Sequence, residues 1–470
     1  MMILITVLVG ICIAKDIYIV FFDQDPHMDK VSAAGIYAES MLGIQSLLGD
    51  DESIDTKMVN GFVAQMNEST AEKVKMYPGV KMVVRDSAVG ISELKVSEEP
   101  DDAEPKEQIM TQRHAPWGLI RIGGGTSLAN GSFYYPANSG RKVDVYVLDT
   151  GVETNHPEFE DRARWGSNFV PESPDEDEHG HGTHCAGIIA GNNFGIAKKA
   201  NIIGVKVLDK NGFGMTSRLL QGVDFVIREH EKKKDDVYRQ LADQYLESTE
   251  SDDSGIMDID FSESVSDLRS IKVPKPSLSQ LIDMASNESL VPKTVVNLSV
   301  GGSRNAALNF AVEYASKLGI HFSTAAGNEH EDACEFSPGS SKASITTGAS
   351  TFRDTVAFFS NFGKCVNIFA PGVDILSSWI GGKQKIASGT SMATPHTTGA
   401  MATYLTYYNY TPHALKQHLM RDAHNVIDST VEDEYIPPVS GSLHLPSFLS
   451  PKKKLPMLSI VNLLRRISKQ

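Results

Sequence analysis

Beyond its first fourteen residues this chain has no apolar run that approaches the roughly twenty residues a membrane-spanning helix needs. That lack points to a mature protein in solution, with no transmembrane segment. Basic charge is short as well: 44 Lys and Arg stand against 59 Asp and Glu, for a formal charge of -15. Nucleic acid is thereby disfavoured as a partner, because its phosphates call for a basic face. Cysteine is scarce, with Cys12, Cys185, Cys334 and Cys365 the full set, and no internal repeat marks an array.

What is present suffices for a large core: 470 residues, 41% of them apolar, a length that suggests two to four domains. Residues 1–14 read as a secretory signal. An apolar run from Met2 to Ile13 ends in the small-x-small pattern Cys12-Ile13-Ala14, although a positive n-region is missing. Cys12 leaves with it. The three remaining cysteines, an odd number in an oxidising compartment, suggest one bridge and one free thiol.

Residues 15–110 divide into a small α+β unit and a linker. Asp16–Phe22, Val59–Met66 and Val80–Val84 read as strands, and Ser69 with Glu72 reads as a capping box opening a helix that stops at Pro78-Gly79. Ser97–Pro105 is acidic, holds two prolines and no basic residue, and reads as an exposed, cleavable linker. From 111 to 430 short apolar strands alternate with helical patterns such as 216–228 and 305–318, which implies a mostly parallel sheet with helices on both faces. Residues 231–291 interrupt the rhythm as an acidic insertion, and 431–470 read as a tail outside the fold.

Three motifs carry chemistry. Asp149-Thr150-Gly151 follows an apolar strand, which puts the Asp149 carboxylate at a strand's carboxyl end, where α/β proteins place their sites. An aspartic-protease pair fails, because the second Asp-Ser-Gly, at 253–255, lies in the insertion with no strand before it. His179-Gly180-His181-Gly182-Thr183-His184 invites a metal reading, but no further ligands are evident, so no metal site is assigned. Gly389-Thr390-Ser391 leads into a helix, whose N-terminal N–H groups and dipole suit a developing oxyanion.

Taken in the order Asp, His, Ser, these motifs resemble those of the subtilase family. Asp149-Thr150-Gly151, His181-Gly182-Thr183-His184-Cys185-Ala186-Gly187 and Gly389-Thr390-Ser391-Met392-Ala393-Thr394-Pro395-His396 are similar to its proteinase K branch. The resemblance covers residues 113–230 and 292–428, while 16–88 resemble the inhibitor-type propeptide of the same enzymes. It implies a subtilisin-like α/β fold preceded by a small ferredoxin-like propeptide domain. It also implies a secreted serine endopeptidase made as an autoprocessed zymogen, inhibited by its own propeptide and acting as a monomer on proteins and peptides.

By that resemblance Ser391 is the nucleophile, His181 the general base and acid, and Asp149 the group that orients the imidazolium. Asn328 and the Ser391 N–H form the oxyanion hole. Ser299-Val300-Gly301 and Gly212-Phe213-Gly214 flank the substrate backbone, and Ala325-Ala326-Gly327 form a P1 wall without charge. That implies broad specificity with apolar or aromatic P1 residues; the Asp-Asp-Gly and extra β domain of kexin-type relatives are missing. Cys334 and Cys365 match a disulfide of secreted relatives, which leaves Cys185 free.

Asn367 stands where the branch presents an aspartate to calcium, so no cofactor is required and calcium is doubtful. Of five Asn-x-Ser/Thr sequons, Asn297 falls in a strand, leaving Asn67, Asn130, Asn287 and Asn409 as glycosylation candidates. The competing readings are an inactive subtilase-like binding protein and a metallo-hydrolase. The final compartment is extracellular space, cell surface or wall, or a lytic vacuole.

Overall fold

A computed structural model describes residues 16–22, 40–41, 43–48, 52–58, 60–90, 109–124, 131–249, 292–431 and 454–467. The signal segment 1–14, the acidic linker, Asn130 and Asn287 lie outside the described residues. The chain forms two compact units, residues 1–86 and 87–470.

In the first unit four strands, Asp16–Phe22, Ser53–Met58, Gly61–Met66 and Val80–Arg85, pair antiparallel with Asp16–Phe22 and Gly61–Met66 in the middle. That strand order is the one a ferredoxin-like unit adopts. Val20, Phe22, Phe62, Met66 and Val74 form its core. Ser53–Met58 was not foreseen, because it is largely exposed and its sequence does not alternate strongly. The helix Glu68–Lys75 is capped by Asn67, whose Oδ1 accepts the Thr70 N–H at 2.9 Å. The capping box expected at Ser69 is therefore corrected: Asn67 caps, and Ser69 lies inside the first turn.

The second unit is built on a ten-stranded sheet. Seven of its strands, counted from one edge, run parallel in the order Ala163–Asn168, Asn201–Lys206, Val143–Asp149, Lys293–Leu298, His321–Ala325, Ile345–Ser350 and Ile368–Pro371. Val143–Asp149, Asn201–Lys206 and Lys293–Leu298 are largely apolar and buried because both faces of the sheet are covered there. From Val143–Asp149 the chain builds outward on one side and then returns to build on the other. The crevice at the carboxyl ends of Val143–Asp149 and Lys293–Leu298 is thus a topological switch point, where open α/β sheets bind ligands.

Two boundaries differ from the sequence reading. The helix beginning at Thr216 does not stop near 228 but runs to Thr249. Its middle is anchored to the sheet: His230 Nδ1 meets Thr294 Oγ1 at 2.9 Å, and Lys233 meets Asp144 and the Tyr146 hydroxyl. The proposed start of an insertion at 231 therefore falls inside a packed helix, and 250–291 lie outside the described residues. The C-terminal segment is not a free tail either. Lys454–Met457 pairs with His424–Val431 and meets Ile368–Pro371 at Phe369, and the helix Val461–Ile467 follows. Met457, Leu458, Ile460 and Leu463 are fully buried, and Arg466 pairs with the buried Asp422. Four apolar side chains taken from water explain why this segment docks.

The sulfur atoms of Cys334 and Cys365 are bonded, 31 residues apart in sequence, and Cys185 is free and buried. Closing such a loop stabilises by about 3–4 kcal/mol on the chain-entropy estimate. Among the described residues no helix is long and apolar enough to cross a membrane.

Burying the four C-terminal side chains contributes about 1.5–3 kcal/mol each, a sum comparable with a whole domain's stability of about 5–15 kcal/mol. Truncation after residue 430 is therefore expected to abolish cooperative unfolding, and Leu463→Ala to cost about 2–5 kcal/mol. Thermal melts followed by circular dichroism check both; a Leu463→Ala melt equal to wild type would return the segment to the status of a dispensable tail.

Candidate active site

Asp149 ends its strand at the switch point, and His181 opens the helix His181–Ala190. The helix begins there because Gly180 takes a left-handed backbone, φ 101°, where a Cβ would also lie 2.4 Å from the Trp379 ring. Gly180 has no side chain to cap the helix. Asp177 supplies the cap instead: its Oδ2 accepts the Thr183 N–H (3.0 Å) and Oγ1 (2.7 Å). Its Oδ1 accepts the N–H groups of His179 (3.1 Å) and Gly180 (2.8 Å) and the hydroxyl of Thr150 (2.8 Å). Asp177 thus joins the Asp149 and His181 segments. Sequence reasoning passed over it, because it is one of four consecutive acids, Asp175 to Glu178.

The result is a contact of 2.7 Å between His181 Nδ1 and Asp149 Oδ1, with both side chains fully buried. The Thr150 N–H donates to the same Asp149 oxygen at 2.8 Å. Burial alone would push the His181 imidazole down, but the Asp149 carboxylate overrides it and holds the ring well above its ordinary value of 6.5. His181 Nε2 has no hydrogen-bond partner. His184 is pushed to about 3 by burial, and its Nε2 lies 3.1 and 2.9 Å from the carbonyls of Ile375 and Lys385, so it is a neutral structural group. His179 is lowered, chiefly by burial, and sits edge-on to the His181 ring with centroids 6.3 Å apart.

Ser391 is the second residue of the helix Thr390–Tyr407, so its N–H has no intrahelical acceptor. Four residues on stands Pro395, which has no N–H to give to the Ser391 carbonyl. That carbonyl accepts the Ser299 hydroxyl at 2.9 Å and the Cys185 thiol at 3.5 Å. Ser391 Oγ in return donates to the Ser299 carbonyl at 3.0 Å. Asn328 Oδ1 accepts the Thr390 N–H (2.8 Å) and hydroxyl (2.7 Å), which leaves its Nδ2 beside Gly389 as the free donor.

One pocket, with about 320 Å³ of open space, gathers Ser391 with Ser299, Val300, Gly301, Ala325, Ala326 and Gly327. Sequence reasoning missed Glu329, Phe336, Ser337 and Thr390 in the same lining. Glu329 brings one carboxylate to a lining in which Ala325, Ala326 and Gly327 carry no charge. Gly212, Phe213 and Gly214 lie elsewhere, and Phe213–Met215 pairs antiparallel with Ala88–Gly90. Of the sequons, Asn67 and Asn409 are exposed and Asn297 is buried.

Among the described residues the one group able to hold a metal is Asp149, His181 and Cys185, whose ligand atoms lie within 4.8 Å of one another. Occupying it would break the Asp149–His181 contact. Burial pushes the Cys185 thiol up, which keeps it protonated.

A carboxylate, an imidazole and a serine converging beside a pocket are the parts of nucleophilic acyl transfer. Comparison with known proteins agrees. The model of the subtilase family matches residues 140–240 and 266–436. A subtilisin-like proteinase 1 of Encephalitozoon cuniculi is 63% identical, covering 99% of this chain and 98% of that protein. Alkaline protease 2 of Aspergillus fumigatus is 34% identical over 81% of this chain and 67% of its own length. The crystal structure of a cold-adapted subtilisin-like serine proteinase matches with a TM-score of 0.51 at 36% identity, covering 68% of this chain and 94% of that one. The chain belongs to the subtilase family and is a serine endopeptidase of the subtilisin type.

Proposed function

We propose that this chain is a secreted endopeptidase made as a zymogen, in which Ser391 attacks the peptide carbonyl, His181 takes and returns the proton, and Asp149 holds the imidazolium. The observation that carries this is the buried 2.7 Å contact of Asp149 with His181 beside a serine that opens a helix. Asn328 Nδ2 and the Ser391 N–H donate to the tetrahedral oxygen. The substrate adds as a strand between Ser299–Gly301 and Gly212–Gly214, a grip on main chain that gives broad specificity. Ala325, Ala326 and Phe336 suit apolar or aromatic P1 side chains. A serine-directed sulfonyl fluoride should abolish activity and a chelator should not; the reverse would favour a metallo-hydrolase.

Support for the zymogen comes from the chain's own strand. Ala88–Gly90 pairs with Phe213–Met215, and the Ser87 carbonyl accepts the Thr216 N–H, so residues before the enzyme stand where a substrate strand is read to lie. Ile109–Arg113 pairs with Ser132–Pro136 within the second unit. In this reading the cut falls between residues 91 and 108.

Ser391→Ala should leave the chain uncut there, since a lost nucleophile costs about 10⁶ in rate, the loss known for subtilisin. N-terminal sequencing of the purified proteins checks it; a Ser391→Ala chain that still matures, expressed without other proteases, would assign the cut elsewhere. Asn328→Ala should lower kcat by about 10²–10³, again as in subtilisin, with KM little changed.

Only the neutral imidazole accepts the serine proton, so activity rises with pH through a His181 pKa held above 6.5 by Asp149. Asp149→Asn should move that acid limb to lower pH while cutting kcat, as read from kcat/KM profiles.

Calcium is not required in this reading. Asn367 Oδ1 accepts the Thr346 N–H at 2.9 Å, and the Asn367 N–H donates to the Thr346 carbonyl at 2.9 Å. The amide oxygen is committed to the neighbouring strand and brings no negative charge, a poor fit to a calcium ligand. A chelator should leave the melting temperature of the mature enzyme unchanged; a large drop abolished by Asn367→Ala would overturn this.

A further inference from the structure

Asp177 is a buried carboxylate that no step of acyl transfer uses, yet it meets five donors around the Asp149–His181 pair. Three are the N–H groups of His179, Gly180 and Thr183, in the segment that opens the His181 helix. The other two are the hydroxyls of Thr183 and Thr150. Because the Thr150 hydroxyl donates to Asp177, its oxygen is left to accept the Gly182 N–H at 3.0 Å. Thr150 also gives its own N–H to Asp149 Oδ1. One carboxylate thus sets the residue after Asp149 and the residue after His181. The backbones are as close. At Gly151, φ +115°, a Cβ would lie 3.0 Å from both Asp177 Cα and the Glu176 carbonyl oxygen.

The charge of Asp177 matters as well as its bonds. A ten-residue helix opens at His181, and its N-terminal N–H groups carry about half a positive charge. That end disfavours a cation, but the imidazole must become one when it takes the serine proton. None of the five donors on Asp177 is itself a cation, so the negative charge stands against the helix end. At the neighbouring His179, burial lowers the pKa, and the Asp149 and Asp177 carboxylates oppose it. The other ionisable groups around His179 and His181 are Cys185 and His184 on the helix and Lys385 on the strand Lys383–Ala387. His396, on the helix that bears Ser391, is pushed to about 4 by burial. Lys206, whose ammonium donates to the Thr150 carbonyl, has Glu178 3.4 Å away.

We propose that Asp177 is a positioning residue for His181: it holds the imidazole on the Asp149 carboxylate and fixes a negative charge at the helix end where the imidazolium forms. The inference rests on reading Ser391, His181 and Asp149 as the triad of an endopeptidase. Asp177 does not line the pocket beside Ser391, so its effect falls on kcat more than on KM. Without its charge the imidazolium is less favoured and the ring gives up its proton at lower pH. The acid limb of activity then moves down.

The test measures kcat, KM and the pH profile of kcat/KM on the mature enzyme, with active sites counted by a serine-directed sulfonyl fluoride. Asp177→Asn keeps the shape, removes the charge and turns one acceptor into a donor. It should lower kcat by about 10–10² with KM little changed, and move the acid limb down by about 0.5–1 pH unit. Thr183→Val removes one hydroxyl bond from the cap and keeps the charge. It should lower the melting temperature and leave the limb where it was. Asp177→Ala, which leaves room for water at the orphaned donors, is read in the same way if the Asn chain does not fold. An unmoved limb in the Asp177 variants, an equal displacement in Thr183→Val, or failure of both Asp177 chains to fold makes Asp177 a structural cap and overturns the proposal. A wild type with no acid limb, or one that the sulfonyl fluoride leaves active, overturns the endopeptidase reading instead.

Discussion

A carboxylate and an imidazole, both out of water, must lie against each other, and much of the second unit exists to keep them there. Removing either partner would strand a buried group at a cost of about 3–5 kcal/mol. The helix bearing His181 therefore approaches the end of the Val143–Asp149 strand until backbones touch. At Gly182 a Cβ would fall 1.9 Å from the Gly151 carbonyl and 3.1 Å from Asp149 Cβ. No other residue permits that approach, so the glycine after His181 is a packing requirement as much as a motif letter. Asp177 ties the two segments from the other side, and Lys206, fully buried, donates to the Thr150 carbonyl at 2.8 Å.

The serine side of the cleft solves a different problem. Pro395 deprives the Ser391 carbonyl of its helical donor, and a buried carbonyl without a partner costs about 1–3 kcal/mol. Ser299 and Cys185 fill the gap, so the proline joins the helix to the end of the Lys293–Leu298 strand. The chain of bonds continues inward, from Asn297 Nδ2 to Ser299 Oγ at 3.0 Å and from the Thr398 hydroxyl to Asn297 Oδ1 at 2.8 Å. That use of Asn297 explains why a residue within a sequon is buried. It also gives the free Cys185 a structural place without any part in acyl transfer.

Both walls depend on segments distant in sequence. The pocket wall at 325–329 is held by Asn361, and residues 454–457 insert between the strands Ile368–Pro371 and His424–Val431.

Sequence alone determined the order of the acid, the histidine and the serine, the alternation of strands and helices, and the apolar strands that end at Asp149 and Leu298. These are local signals: a periodicity, a glycine beside a histidine, a serine opening a helix. It also carried the pairing of Cys334 with Cys365, through resemblance to relatives. What it did not carry depends on contacts between distant residues. Glu329 drew no reading from the sequence, because its partner Asn361 stands 32 residues on. Asp177 looked like part of an acidic stretch until its carboxylate met Thr150 and Thr183. The helix past 228 read as an insertion because its surface is charged, and the apolar segment 454–467 read as a tail because nothing local shows what its apolar face meets. Packing against the sheet decided both, burying His230 and Leu463 where local composition had no means of recording a partner.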